Sequence, residues 1–322
     1  MAVNSRAPRV KTPLQQAWET LRRNRLAMTG LALLLVFFLL AIAGTILTGG
    51  DHPYLDPNLV RLPDKLKPPL SLPNTAAIPP EALPRLGVYV LGTDELGRDV
   101  LARMLQGAKV SLSVGFVAVG ISVLIGVILG GIAGYYGETP LRLWRWRVTT
   151  VDRLITRLVD IMLCFPTFFL ILTVIALLPP SIWNVMIVIG LTSWMGTTRF
   201  VRAEILSLRE QDFIQAARSL GASDLRIIFR HLIPNSMAPV LVSATIGIAS
   251  AILTESGLSF LGFGVPPPDA SWGNILSDGK KFLFDAPWLT YIPGTAILIT
   301  VLSFNLFGEG LRDALNPKLK RE

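Results

Sequence analysis

QAARSLGASDLRIIFRHLIPN, residues 215–235, is a charged, helix-compatible stretch set between two long apolar runs. Just ahead of it, Ser207-Leu208-Arg209-Glu210 has the form of a capping box, in which serine and glutamate satisfy each other's backbone donors at a helix start. The next residues set Phe213, Ala216, Ala217 and Leu220 on one helical face. Gly221 is suited to end that helix in a left-handed conformation. Ser223 is placed to cap a second short helix, with Leu225, Ile228, Phe229 and Leu232 on its apolar face and Pro234 at its end. Arg209, Asp212, Gln215, Arg226 and Arg230 fall on the other faces. The expectation is two amphipathic helices at an angle, joined by a glycine bend.

The surroundings explain why such an element is conspicuous. Half the chain is apolar (51%) and 16% is charged, far below the roughly 25% of a soluble domain. A bilayer core about 30 Å thick needs roughly 20 apolar residues in a helix. Six runs qualify: 26–47, 112–135, 155–178, 182–200, 237–261 and 288–307. Pro166 is expected to kink the third, and Pro179-Pro180-Ser181 to make a tight hairpin into the fourth. The first has a basic leader and Ala41-Ile42-Ala43, as secretory leaders do. It exceeds the roughly 7–15 apolar residues of such a leader and five more spans follow, so it is expected to be retained. The lone Cys164 excludes an intrachain disulfide, and with only His52 and His231 beside it no metal site is expected.

Charge placement gives the orientation. Segments 1–25, 136–154, 201–236 and 308–322, with Arg157, Asp160 and Arg199 nearby, hold 21 of the 30 Lys and Arg, and 11 Asp and Glu. Segments 48–111 and 262–287 hold 9 basic and 10 acidic residues. By the positive-inside rule the first set is cytoplasmic, and so are both termini. Trp288 and Tyr291 then fall at the outer interface. The expected fold is an all-α integral membrane protein of six transmembrane helices. Its parts are a cytoplasmic segment 1–25, a first span 26–47, an outer loop 48–108, a five-helix core 109–310 with an inner loop 201–236, and a basic tail 311–322.

Nine prolines between Pro53 and Pro84 suggest an extended outer loop. From Thr93 a cap-like Thr or Asp precedes an apolar stripe of Val100, Leu101, Met104 and Leu105, which suits a helix lying on the outer surface. Within Gly92, Thr93, Asp94, Gly97, Arg98 and Asp99, the charges, with Glu95, are expected to pair locally and brace that helix; the alternative is a docking surface or lid. Ala118, Ser122, Gly126, Gly130 and Gly134 recur every fourth residue, a stripe that lets another helix come close. Ser243, Gly247, Ser250, Thr254 and Gly257 repeat the pattern, and their hydroxyls could also line an aqueous route. Glu255 beside them is either a pathway group or a carboxylate reaching the outer interface; its nearness to the outer end favours the second.

Ala217, Gly221 and Ile227 fit the spacing of a DNA-binding helix-turn-helix, but a tether at each end, near Phe200 and Met237, bars docking in a major groove. No nucleic-acid partner is expected. The geometry suits a knob that inserts into a groove on a soluble partner and passes that partner's motion to the flanking spans.

Gln215-Ala216-Ala217, Gly221, His231, Ile233 and Pro234 resemble the EAA loop of permease subunits of bacterial ATP-binding-cassette importers, whose pattern is E-A-A-x3-G-x9-I-x-L-P. Gln215 stands for the leading Glu and His231 for the first aliphatic residue. RRNRLAMTGLALL (22–34), LGTDELGRDVLARMLQGAKVSLSVG (91–115), TESGLSFLGFGVPPPDASWG (254–273) and GEGLRDALNPKLK (308–320) are similar to the "C"-type permease of dipeptide and oligopeptide systems within the peptide/nickel permease family. The resemblance implies a type I importer permease fold. It implies coupling to an ATPase through Gln215, Ala216, Ala217, Gly221, Ser223, Asp224, Arg226, His231 and Pro234. It also implies membrane lipids around the chain, a second homologous permease, two ATPase subunits and an extracytoplasmic solute-binding protein. No catalytic residue and no cofactor are expected here: the sequence has no G-x-x-x-x-G-K-[ST] phosphate loop, so ATP and Mg belong to the partners. Related systems carry nickel, glutathione or other small solutes. A secondary transporter would show an internal repeat or charged broken helices, which the sequence lacks.

Overall fold

The computed structural model describes residues 13–137, 140–143 and 146–315. Parts of three expected inner segments lie outside the described residues: 1–12, positions 138, 139, 144 and 145, and 316–322 of the basic tail. An amphipathic helix α1 (Pro13–Arg23) leads into α2 (Arg25–Leu47), whose start is capped by Asn24 accepting from the Ala27 N–H at 3.1 Å.

The expected surface helix and second span are one element, α3 (Val100–Tyr135), 36 residues long. Asp99 caps it through the Leu101 N–H at 2.9 Å, and no proline interrupts its course. At 1.5 Å per residue it is about 54 Å long, well beyond a hydrocarbon core.

An antiparallel ribbon comes next, β1 (Pro140–Leu143) and β2 (Trp146–Thr150), a short addition to an otherwise helical chain; β-branched Thr149 and Thr150 favour extended backbone. The third span is a bent pair, α4 (Val151–Leu163) and α5 (Thr167–Ala176), turned by 79°. Pro166 is the residue before α5, where the missing N–H costs nothing.

The fourth expected span is broken too, into α6 (Ile182–Leu191) and α7 (Trp194–Leu208). At the break the Thr192 and Ser193 hydroxyls donate to the Val188 and Ile189 carbonyls, each at 2.7 Å, competing with the backbone ladder. Because α7 runs through Leu208, the Ser207–Glu210 capping box does not form. Gln211 instead precedes α8 (Asp212–Ser219), without a side-chain cap. Then come α9 (Asp224–Ile227), a π-turn over 228–232, and α10 (Ile233–Phe260) as one continuous run. Pro234 does not end a helix. It has no N–H to give the Arg230 carbonyl, and the ladder widens into π register just before it, with the Ile233 N–H bonding the Ile228 carbonyl. A short helix α11 (Trp272–Gly279) and the last span α12 (Trp288–Leu315) complete the chain.

Among the described residues, four helical runs are thus long and apolar enough to cross a membrane, or five if the bent pair is one span. The expected fourth span, split into α6 and α7, is not among them. The shared core joins α2, α3, α5, α6, α10, α11 and α12 through residues such as Phe37, Leu112, Ile171, Val188, Ile252, Trp272 and Phe304. The glycine stripe of α3 faces α7. A Cβ on Gly126 would sit 2.6 Å from Thr197 Cβ, and one on Gly130 would sit 2.7 Å from the Thr198 carbonyl oxygen. Contact this close holds two helices together by packing, where lipid offers no hydrophobic drive.

The outer loop is compact, which overturns the extended reading. Backbone bonds pair Ser71 with Tyr89, and Asp64 and Tyr89 are fully buried. The Tyr89 hydroxyl donates to Asp64 at 2.8 Å, Lys67 Nζ lies 2.6 Å from the same carboxylate, and the Asn74 N–H reaches it at 3.1 Å. Burial alone would raise the Asp64 pKa, but these donors hold it below the usual carboxylate range. Trp288 is buried rather than interfacial, its indole N–H donating to the Thr93 carbonyl at 3.2 Å, while Tyr291 is exposed.

Candidate functional site

The knob, residues 209–232, stands at the end of the bundle where α3, α7 and α10 meet. Gly221 has φ of +80°, and the Gly221 and Ala222 N–H groups bond the Arg218 and Ala217 carbonyls at 2.9 and 3.1 Å, a Schellman end to α8. Nothing lies within 4 Å of where its Cβ would be, so glycine is required by the backbone angle and not by space. Ser223 precedes α9 but makes no side-chain cap.

The apolar faces are distributed otherwise than the periodicity suggests. Ile214, Ile227, Ile228 and Leu232 are buried against Val201, Ile205, Leu208 and Tyr135. Phe213, Leu220, Leu225 and Phe229 point outward, Leu220 at 88% exposure. Gln215, Ala216, Arg226 and Pro234 are exposed as well, with Ala217 and His231 half-buried. A cluster of large apolar side chains on a charged element is the mark of a surface awaiting a partner.

A cavity of about 510 Å³ opens among α3, α5, the α6–α7 break and α10. Ser243, Gly247, Ser250 and Thr254 line it, with Ser122, Thr192, Ser193 and Thr197 from the facing helices and Phe168 and Ile171 as apolar wall. None of its lining residues is ionisable. Several hydroxyls donate to their own helix, as Thr254 does to the Ser250 carbonyl at 2.8 Å, which leaves lone pairs to accept from a passing amide.

Glu255 is not part of that lining and does not reach an interface. It is wholly buried, accepting from Ser259 Oγ at 2.7 Å and Ser111 Oγ at 3.3 Å. Ser111 Oγ also accepts from the Trp272 N–H at 3.2 Å, and Ser259 Oγ from the Val265 N–H at 3.3 Å. The carboxylate thus ties α3 and α10 to the segment leading into α11. A buried carboxyl needs such donors, and these come from residues far apart in sequence.

At the opposite end from the knob, the outer motif builds a turn and an ion network. Asp94 accepts from the Leu96 and Arg98 N–H groups, each at 2.9 Å, and pairs with Arg98 Nε at 2.6 Å. Thr93 Oγ1 accepts from the Lys67 N–H at 2.7 Å and donates to the Asp64 carbonyl at 2.5 Å. Gly92 and Gly97 have positive φ, and a Cβ on Gly97 would strike the Arg61 carbonyl oxygen at 1.9 Å. Arg103, at the end of the first turn of α3, lies 3.6 Å from both Asp94 and Asp278. Substituting Asp94→Asn keeps the turn but removes the charge facing two arginines. It is expected to destabilise the chain by about 1–3 kcal/mol, read as a lower thermal midpoint in detergent.

Sequence reasoning missed Asp278, Asp64, Tyr89 and the paired Tyr135 and Tyr136. Only the tyrosine pair, at the foot of an apolar run beside a basic segment, gave any signal.

The sequence profile described as "Binding-protein-dependent transport system inner membrane component" matches residues 122–321, and that described as "N-terminal TM domain of oligopeptide transport permease C" matches 12–69. The chain is 40% identical over 309 residues to the dipeptide transport system permease protein DppC of Alkalihalophilus pseudofirmus, covering 96% of this chain and 91% of the relative. Against DppC of Haemophilus influenzae it is 38% identical, covering 97% of each. Against the oligopeptide transport system permease protein OppC of Bacillus subtilis it is 35% identical, covering 93% and 88%. Among solved structures, an inward-facing conformation of the MetNI methionine ABC transporter matches with a TM-score of 0.51 at 16% identity, covering 66% of this chain and 95% of that one. That last likeness concerns the fold alone.

Proposed function

The chain belongs to the family of binding-protein-dependent transport system inner membrane components, and on that premise we propose that it is the "C"-type permease of an importer carrying di- and oligopeptides across the bacterial cytoplasmic membrane. In this reading both termini are cytoplasmic and the chain crosses six times, the third and fourth crossings being the bent and broken pairs. The bias of 21 of 30 basic residues to one side supports it. Two ATPase subunits bind ATP and Mg, dock on the knobs of this chain and of a second permease, and drive a switch between inward- and outward-open states. The binding protein delivers cargo on the outer face, where the outer motif braces the start of α3. The chain itself catalyses nothing.

One observation carries the reading: four large apolar side chains turned outward on a glycine-bent knob whose other side is anchored in the bundle. For cargo, a cavity lined by hydroxyls and without a carboxylate, histidine or cysteine suits a peptide better than a metal cation.

The test is capture of the ATPase by the tagged chain. Each large apolar side chain buried in a partner contributes about 1.5–3 kcal/mol. The double variant Leu220→Asp, Phe229→Asp is therefore expected to weaken capture by roughly 100-fold or more. Equal capture by this variant and the unchanged chain, or none by either, sinks the assignment.

A further inference from the structure

We propose that Asp224 is a positioning residue that clasps the knob to the end of α3 through Tyr135 and Tyr136, making α3 the rod that takes the knob's movement across the membrane. This rests on the importer reading above and adds the route of transmission within this chain.

The clasp is built from both arms of the knob. Asp224 opens α9, and its two carboxylate oxygens accept from two phenols, Tyr135 Oη at 2.6 Å and Tyr136 Oη at 3.3 Å. From α8, the Arg218 guanidinium lies 5.3 Å over the Tyr135 ring, close enough for a cation–π contact. The two tyrosine rings meet edge to face at 4.8 Å. Arg209, at the base of the knob, donates to the Gly134 carbonyl at 3.4 Å. Asp224 is itself exposed, but both its carboxylate oxygens are engaged by its own chain, whereas Leu220, Leu225 and Phe229 face away from it. A role limited to the N-terminus of α9 needs a negative charge near that end but no phenol, and here both oxygens are engaged by α3 and the residue after it.

Three helices meet the knob; one is broken on its way out and one, though continuous, has its hydrogen-bond ladder disturbed twice. α7 stops at the Thr192–Ser193 break, and α10 is entered through a π-turn and contains Pro239. α3 runs unbroken from Tyr135 to Val100. Its far end is fixed as firmly as its near one, by the Asp99 cap and by Arg103 within reach of Asp94 and Asp278. Apolar packing on Val201, Ile205 and Leu208 would let the knob slide or rotate on α7, because dispersion contacts have little directionality. Hydrogen bonds to a carboxylate are directional and set its angle on α3.

The experiment uses the whole importer, with both permeases, the ATPases and the binding protein, in proteoliposomes. Asp224→Asn, Tyr135→Phe and the double variant are compared for ATPase co-purification and for peptide taken up per ATP hydrolysed. Each single variant is expected to lower uptake per ATP by roughly tenfold, the scale of one lost charge-assisted hydrogen bond, with Tyr135→Phe keeping its ATPase. The double variant should be no worse than either single one, because the two groups form one contact. Tyr135→Phe removes a single oxygen and keeps the ring packing, so it decides alone if Asp224→Asn fails to fold. Unchanged uptake per ATP in Tyr135→Phe overturns the clasp. So does loss of the ATPase in Asp224→Asn with Tyr135→Phe normal, which would make Asp224 a docking residue while the importer reading stands. If the unchanged chain captures no ATPase, the importer reading itself fails.

Discussion

Replacing Gly221 with proline is expected to abolish uptake in the importer proposed above. The glycine holds φ of +80°, and proline fixes φ near −65°, so the reversal that ends α8 cannot form. Proline also lacks the N–H that bonds the Arg218 carbonyl at 2.9 Å. Leu220 and Leu225 lie on either side of this bend, so the outward surface is dismantled while the span beginning at Ile233 is left intact. The Gly221→Ala control separates backbone angle from bulk. There is open space around the position, and alanine meets only the left-handed penalty of about 1–2 kcal/mol. Reduced but measurable uptake is expected for alanine and none for proline, with both proteins present in the membrane at similar levels. Normal uptake and normal binding-protein-stimulated ATP hydrolysis by the proline variant would contradict the role given to the bend.

Gly130→Val is expected to prevent the permease from folding. A Cβ alone would lie 2.7 Å from the Thr198 carbonyl oxygen, 2.8 Å from Val201 Cβ and 3.1 Å from the Arg202 N–H nitrogen. Valine adds two methyls to that. Overpacking typically costs about 1–3 kcal/mol, with side chains giving way; here two of the three obstacles are backbone, and only separation of α3 from α7 relieves them. Separation would expose the seam that α3 shares with Thr197, Thr198, Val201 and Ile205 of α7. Size-exclusion chromatography in detergent, with the unchanged chain beside it, is expected to show aggregate in place of a single folded peak. Gly120→Val on the same helix, where nothing stands within 4 Å, is the matched control and should elute normally.

How much of this could be read from the sequence depends on the reach of each interaction. The apolar runs of α2, α10 and α12 are uniform, and desolvation alone fixes them as membrane-length helices. The fourth span read as equally continuous, because nothing in its hydropathy reveals that Thr192 and Ser193 turn their hydroxyls onto the preceding carbonyls. Periodicity identified the two helices of the knob but not which way they face. A stripe such as Phe213, Ala216 and Leu220 looks the same whether it packs on the bundle or on another protein, and the decisive anchor, Ile214, lies outside the stripe. The prolines of residues 53–84 suggested an extended strap. The Asp64–Tyr89 and Thr93–Asp64 bonds that fold it span 25 and 29 positions, beyond any local pattern. The same limit hid the tyrosine clasp and Ser111, which lies 144 positions from Glu255. Motif resemblance supplied the partners that no single-chain geometry could.

The outward leucine at 88% exposure has a consequence for the life of the molecule before assembly. Left bare in water, such a side chain forgoes about 1.5–3 kcal/mol that burial would bring. A solitary copy therefore carries a sticky spot that favours self-association, and purification of the chain alone is expected to need conditions that keep copies apart.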